Sequence, residues 1–82
     1  MNQNEINNLL NSNFKNSVIE VILKDSYCNI FIASDKFKGL SKLKCQQLVY
    51  SYISEQIASG AIHAVVLKLM TLQEYHNEDS LK

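Results

Sequence analysis

The sequence predicts an α+β fold in which three strands form one mixed sheet with helices packed on one face. Residues 18–34 alternate apolar and polar side chains around a polar break, which is typical of a β-hairpin. Residues 42–58 space their apolar side chains at helical intervals, and the apolar run at 61–71 fits a third strand. A hairpin, a crossover helix and a returning strand form a right-handed β-α-β unit, so the last strand is expected to pair in parallel.

The first element is a predicted amphipathic helix over residues 3–13, because Ile6, Leu9 and Leu10 share one helical face. Two strands follow, separated by a turn at residues 24–26 that lacks the Asn-Gly pair common in tight hairpins. The side chains predicted to share the inward faces of these strands are Ile19, Val21, Leu23, Cys28, Ile30 and Ile32.

The longest helix is predicted over residues 42–58, with Ser41 as its N-cap and Gly60 as the residue that ends it. Gly39 is expected to supply a positive φ in the connection before this helix. The predicted apolar stripe consists of Leu43, Leu48, Val49, Tyr52, Ile53 and Ile57. Cys45 falls among polar residues, so we expect an exposed thiol whose pKa is lowered by neighbouring lysines.

The third strand, within residues 61–71, is almost entirely apolar and is therefore expected to be central or covered by helices. Residues 72–82 are predicted to form a short helix that frays into a flexible acidic tail over about residues 76–82. The predicted element order is α-β-β-α-β-α.

The composition indicates a single domain over residues 1–82 with one core and no strong electrostatic field. The chain is 46% hydrophobic, and its eight basic residues, all lysine, balance eight acidic ones. It shows neither a secretion signal nor an apolar run of membrane-spanning length, so a cytoplasmic location with reduced cysteines is expected. With only two glycines and no hydrolase, phosphate-loop or zinc-protease motif, the chain is not expected to be an enzyme.

His63 stands at the start of an otherwise apolar strand, and three roles are compatible with that position. It can be a structural histidine hydrogen-bonded to a carboxylate or a carbonyl, a catalytic base, or a metal ligand. One histidine from a small chain cannot fill a coordination sphere, so the ligand role requires a partner that supplies further ligands. Cys28 is a second candidate ligand, although its phase with the neighbouring isoleucines also fits a small buried hydrophobe.

Four lysines, Lys36, Lys38, Lys42 and Lys44, cluster around the start of the long helix. Such a cluster is usually a solvated surface, but it also fits a docking patch for an acidic partner or for phosphates. Arginine is missing from the sequence and only Phe37 is close enough to stack on bases. The pattern therefore gives little support to nucleic-acid binding.

The stretch from Phe37 to Tyr75 closely resembles the BolA-like family, particularly its short bacterial branch known as YrbA or IbaG. The positions that match the motifs of this branch are Phe37, Gly39, Leu40, Ser41, Gln46, Gln47, Val49, Tyr50, Ile62, His63, Ala64 and Thr71. The resemblance implies a fold similar to the type II KH domain, without the GxxG loop of RNA-binding KH domains. It also implies a non-enzymatic partner of monothiol glutaredoxins that acts in iron–sulfur trafficking, iron regulation or the response to stress.

In this family the two proteins hold a shared [2Fe–2S] cluster. The glutaredoxin side contributes its cysteine and a glutathione thiolate, and the BolA-like side contributes the histidine of an I-H-A phrase, here His63. Members of the family also often supply a histidine or cysteine from the loop between the first two strands. Some members are linked to transcription, so the resemblance leaves an alternative function open, a nucleic-acid-binding regulator that uses the KH-like fold and the lysine cluster.

The chain departs from its relatives in that loop. Where the branch has G-D-G-S-H-F, this sequence has "LKDSYC", so Tyr27 falls on the usual histidine and Cys28 on the usual phenylalanine. Tyr27 is a poor replacement as a metal ligand, because a phenol near pKa 10 releases its proton reluctantly at neutral pH. Tyr27 is instead expected to contact the partner. Cys28 replaces the ligand only if the strand begins one residue later; otherwise this chain offers His63 alone.

Overall fold

The structure is a computed structural model that describes residues 2–80, with side chains described through residue 77. Its elements are α1 (Gln3–Asn13), β1 (Val18–Lys24), β2 (Tyr27–Ala33), a single 3-10 turn (Asp35–Phe37), α2 (Lys42–Ala58), β3 (Ala64–Met70) and α3 (Leu72–Ser80). The predicted α-β-β-α-β-α order and the α+β class with a three-stranded mixed sheet are both confirmed.

The sheet has the strand order β1-β2-β3, with β1 antiparallel and β3 parallel to β2. The central strand is therefore β2, and the prediction of a central or fully covered β3 is wrong. Burial alternates along β3, because helices cover only one of its two faces. An apolar sequence at this position reflects a strand at the sheet edge that still contributes every second side chain to the core.

The hairpin between β1 and β2 turns over two residues, Asp25 and Ser26, which lie between the paired Lys24 and Tyr27. Asp25 has φ +56°, in the left-handed region that glycine usually occupies in such turns. A short aspartate side chain tolerates this conformation, so the hairpin forms without the Asn-Gly pair that the sequence lacks.

The core lies between one face of the sheet and the helices α1 and α2. Within α2, the buried line runs through Cys45, Val49 and Ile53, each four residues from the next. The buried side of α2 is therefore rotated relative to the predicted apolar stripe, since Leu43 is 63% exposed and the thiol of Cys45 points inward. Other predicted members of the stripe, Leu48 and Tyr52, flank this line as half-buried side chains.

Both ends of α2 are as the sequence predicts. The Ser41 side chain accepts a hydrogen bond from the Lys44 N–H at 3.2 Å, which satisfies one of the free donors of the first turn. After the last helical residue, Gly60 has φ +83° and its N–H donates to the carbonyl of Ile57. Gly39 has φ +79°, as expected for the connection before α2.

The third helix differs from the other two in its contacts with the sheet. The ring of Tyr75 in α3 lies 5.8 Å from the ring of Phe31, which faces away from α1 and α2. The predicted packing of helices on one face therefore holds for α1 and α2, whereas α3 contacts the other face. The helix continues to Ser80, so residues 76–80, predicted to lie in a flexible tail, are helical. Residues 81 and 82 of that predicted tail lie outside the described residues.

Over the part of the chain that is described, no helix is both long and apolar enough to cross a membrane.

Candidate functional site

His63 lies in the short connection between α2 and β3 and is exposed. Its backbone N–H donates to the carbonyl oxygen of Ser26 at 2.8 Å, and the next N–H, that of Ala64, reaches the same oxygen at 3.2 Å. These bonds fix the connection to the β1–β2 turn. The main chain of His63 is therefore held at the end of the sheet where β2 and β3 both begin.

The imidazole ring of His63 is placed by two neighbours. Its Nδ1 lies 3.3 Å from the hydroxyl oxygen of Ser26. On the other side, a β-carbon added to Gly60 would lie 3.4 Å from Nε2, so the ring rests against the glycine that ends α2. Since a hydroxyl both donates and accepts, Ser26 accommodates either neutral tautomer of the ring. The resulting site is an exposed, oriented imidazole.

One of the three roles compatible with His63 is structural, and the hydrogen-bond partner observed for its ring differs from the predicted one. The ring contacts a hydroxyl group, where the sequence suggested a carboxylate or a carbonyl. Among the side chains that the structure describes, those of residues 2–77, no group of three or more histidine, cysteine, aspartate and glutamate residues converges as a metal site. His63 is thus placed as a single donor, which requires further ligands from outside the chain to hold a metal.

Tyr27 lies beside this site. It begins β2 opposite Ala64, the residue after His63, and its side chain is 47% exposed. The fold therefore brings the two sequence-predicted residues of this region, Tyr27 and His63, to the same end of the sheet. Tyr27 is available there as an amphipathic contact for a partner protein.

Cys28 is buried, and its prediction as a metal ligand is not supported. Because β2 begins at Tyr27, Cys28 faces the core between Leu23 and Val65 and has no exposed surface. Burial also raises the pKa of the Cys28 thiol, which disfavours the thiolate that binds metals. The late strand start under which Cys28 would replace the missing loop ligand does not occur.

We expect the Cys28 thiol to resist alkylation in the native protein and to react only after unfolding. Cys45, which keeps 8% exposure beside a surface cleft, should react before it. Mass spectrometry of peptides after a timed iodoacetamide pulse measures both rates. Fast native labelling of Cys28 would show that β2 opens or shifts its register.

The four lysines do not form one free patch. The Lys36 ammonium donates to the Asn13 carbonyl oxygen at 2.6 Å and lies 5.1 Å from the centre of the Phe14 ring. It also lies 3.3 Å from the Tyr52 hydroxyl, so Lys36 ties α1 to α2. The remaining three, Lys38, Lys42 and Lys44, are exposed.

These lysines are also far from His63. The helix α2 carries Lys42 and Lys44 in its first turn, whereas His63 follows its last turn. A helix of 17 residues is about 25 Å long, so the two regions lie at opposite ends of the domain. The lysine cluster and His63 therefore do not belong to one compact site, and nucleic-acid binding by the cluster stays a prediction.

A surface cleft of about 530 Å³ lies between the start of α2, the second half of β3 and the start of α3. Its lining includes the inward-facing Cys45, together with Lys42 and Glu74. Burial raises the pKa of the Cys45 thiol, and the negative charge of Glu74 raises it further. The expected exposed thiol with a lowered pKa is thus wrong, because the rotation of α2 turns this side chain toward the core.

The first turn of α3 carries a pH-dependent cap. The Thr71 N–H donates to a Glu74 carboxylate oxygen at 3.0 Å, and the Glu74 N–H donates back to the Thr71 hydroxyl at 3.1 Å. The hydrogen bond from the Thr71 backbone lowers the pKa of Glu74 below its ordinary value of 4.5. A carboxylate whose pKa is lower in the folded state stabilises that state above its unfolded pKa and loses this effect as pH falls through the folded value.

We therefore expect Glu74→Gln to lower the melting temperature slightly at neutral pH. The difference in melting temperature from the wild-type protein should shrink as pH falls below 4.5, because protonation then makes wild-type Glu74 neutral, as glutamine is. Melting temperatures measured by circular dichroism between pH 7 and pH 3 test this expectation. A difference that stays constant over that range would mean that the charge of Glu74 does not stabilise the cap.

The order of strands and helices, with an exposed histidine at the start of the third strand, defines a small α+β domain of the BolA type. The family model described as BolA-like protein matches residues 23–74, which include the hairpin turn, α2, His63 and β3. The chain belongs to the BolA-like family. The more specific likeness to a type II KH domain stays a prediction.

Among its relatives, acid stress protein IbaG of Escherichia coli strain K12 is 32% identical over 81 residues, which cover 99% of this chain and 96% of that protein. The BolA domain of SufE1 from Arabidopsis thaliana superposes with a TM-score of 0.81 at 25% identity, covering 88% of this chain and 93% of the other. A bol-like protein from Babesia bovis has a TM-score of 0.77 at 23% identity, covering 96% and 94%. The likeness therefore extends over the whole domain in both sequence and fold.

Sequence reasoning missed the two residues that position the histidine. Ser26 and His63 are 37 positions apart, and nothing in the spacing of either residue indicates their contact. Gly60 was predicted only as the end of α2, although its missing side chain also makes room for the ring. The only available signal was the shortness of the Gly60–His63 connection, which keeps the histidine next to the helix end.

Proposed function

We propose that this protein is a non-enzymatic adaptor that binds a monothiol glutaredoxin and contributes His63 to a [2Fe–2S] cluster held between the two proteins. The glutaredoxin side supplies its own cysteine and the thiolate of glutathione. The adaptor acts in iron–sulfur cluster trafficking or iron sensing. The name of the relative IbaG, an acid stress protein, supports a role under stress.

The observation that carries this proposal is the placement of His63. Its ring is exposed, its main chain is fixed to the Ser26 carbonyl, and its orientation is limited by the Ser26 hydroxyl and by Gly60. An imidazole that is already oriented before binding loses little conformational freedom when it binds a partner's iron. Tyr27 at the same end of the sheet offers apolar and hydrogen-bonding contact to the partner.

The residues of this chain fit the role of a single ligand. The buried thiol of Cys28 is not available, so among the described residues His63 is the one accessible histidine or cysteine at this end of the sheet. Substitution of imidazole for a thiolate removes negative charge from one iron and raises the reduction potential of such a cluster. A single protein ligand on the adaptor side also favours a cluster that is released more readily than one held by two.

Titration of the protein with a cluster-loaded monothiol glutaredoxin and glutathione tests this function. We expect the visible absorption and circular dichroism of the cluster to change on mixing, and His63→Ala to abolish the change. The matched control is His76→Ala, which removes an exposed histidine from α3 and should behave like the wild-type protein. If His63→Ala gave the wild-type spectrum and affinity, the proposed ligand role would be wrong.

A further inference from the structure

The outer edge of β3 carries unpaired backbone hydrogen-bonding groups. The Met70 carbonyl accepts from the Ser34 N–H at 3.0 Å, and the Ala64 N–H donates to Ser26, so the even-numbered residues of β3 direct their backbone groups at β2. The N–H and C=O groups alternate in direction along a strand. Those of the odd-numbered residues, Val65, Leu67 and Leu69, therefore point away from the sheet.

The other edge of the sheet, formed by β1, is partly covered within the domain. The first helix packs along β1, and the side-chain oxygen of Gln3 accepts the outward N–H of Leu23 at 2.9 Å. Within residues 2–80, no strand lies beside the outer edge of β3. The strand is seven residues long and carries one charge, that of Lys68. A long apolar edge of this kind favours pairing with another strand.

The cleft of about 530 Å³ runs beside this edge, along the second half of β3. Its apolar lining includes Leu67 and Leu69 of β3, and its charged lining consists of Lys42, Lys68 and Glu74. A strand added at the edge would direct every second side chain over this cleft, because that face continues the face covered by α2.

We propose that this edge is an interface between two copies of the chain, whose β3 strands pair in antiparallel about a twofold axis at Leu67. The outward backbone groups are self-complementary in this register. Leu67 lies opposite Leu67 of the second copy, and Val65 lies opposite Leu69 of the second copy. Every outward N–H of β3 then donates to an outward carbonyl, and the two sheets become one continuous sheet.

The side chains are compatible with the same register. Val65 of the second copy, opposite Leu69, adds an apolar side chain on the face of the sheet that carries Leu67 and Leu69. On the open face of the sheet, Val66 lies opposite Lys68 of the second copy, so no like charges are directly opposed. The formal net charge of the chain is zero, and long-range repulsion between copies is therefore small. An interface formed by one edge strand is small, so the dimer is weak and depends on concentration.

The test uses two substitutions at Val66, which is 45% exposed and points away from the core. Val66→Lys places a lysine opposite Lys68 of the second copy, whereas Val66→Glu places a glutamate there. The dissociation constant, measured by sedimentation equilibrium up to millimolar protein, should rise for the lysine variant and fall for the glutamate variant. Each change should be about two- to thirtyfold, because the twofold axis repeats the pair.

Amide hydrogen exchange provides an independent measurement. The amides of Val65, Leu67 and Leu69 should become protected as the concentration of wild-type protein rises, and those of Val66 and Lys68 should not change. A protein that stays monomeric at millimolar concentration would overturn the proposal, even if an extended peptide bound the same edge. A dimer that Val66→Lys and Val66→Glu weakened equally, or whose protection appeared elsewhere, would also overturn it.

Discussion

Gly60→Ala is expected both to destabilise the protein and to weaken its binding to a cluster-loaded glutaredoxin. Gly60 has φ +83°, a conformation that costs an L-residue about 1–2 kcal/mol. The added methyl group would also lie 3.4 Å from Nε2 of His63, in direct contact with the ring. It would fill space beside the one nitrogen of the ring that the Ser26 hydroxyl does not contact, and so hinder the approach of a partner's iron.

The chain offers a matched control at Gly39. Its φ is +79°, but a β-carbon added there meets nothing within 4 Å. Gly39→Ala should therefore lower the free energy of unfolding by a similar amount, measured by urea denaturation, and leave the affinity for the glutaredoxin unchanged. If both variants lost affinity for the glutaredoxin equally, backbone strain alone would explain the loss. The contact between Gly60 and His63 would then have no role in binding.

The sequence was enough to select His63 as the candidate residue, but not to predict the contacts that place its ring. His63 stands out as a polar residue at the start of an apolar run, and the BolA-like resemblance marks it as a ligand. The contacts that orient its ring depend on how the hairpin turn meets the end of α2. Ser26 and His63 approach each other only after β2 and β3 have paired in register, which is a tertiary event that local patterns do not encode.

The errors made from the sequence have a shared physical cause. In α2, Leu43 is apolar and near the helix start, so periodicity assigns it to the core and assigns Cys45 to solvent. Leu43 lies off the buried line that runs through Cys45 and Val49, so its side chain is exposed although it is apolar. For Lys36, the sequence shows a charge in a charged segment, whereas the structure places its ammonium on a helix-end carbonyl and an aromatic ring. Both outcomes depend on how neighbouring elements pack against each other.

The register of the hairpin is a further feature that the sequence alone left undecided. A shift of one residue would exchange Tyr27 and Cys28 between the open face and the core. The sequence allowed both assignments, because the turn lacks the glycine that would fix its length. The left-handed conformation of Asp25 allows a two-residue turn, and with it the pairing that buries Cys28.

Phe14→Ala is expected to reduce the free energy of unfolding by about 3–5 kcal/mol, a large part of the stability of a small domain. Phe14 is 1% exposed, and its ring centre lies 5.5 Å from those of both Phe37 and Tyr52. The Lys36 ammonium lies over the same ring. Removal of the ring leaves a cavity between α1, α2 and the 3-10 turn, and deprives Lys36 of one of its contacts. Chemical denaturation in urea measures the loss.

Phe31→Ala is the control for this substitution, because Phe31 is half-buried on the open face of the sheet and contacts the ring of Tyr75. Its loss should destabilise the protein much less, since no closed cavity forms. The aromatic cluster around Phe14 lies at the end of the sheet opposite His63, so Phe14→Ala should leave the affinity of the folded fraction for glutaredoxin intact. A loss of affinity that exceeded the loss of folded protein would show that packing at one end of the domain controls the histidine at the other.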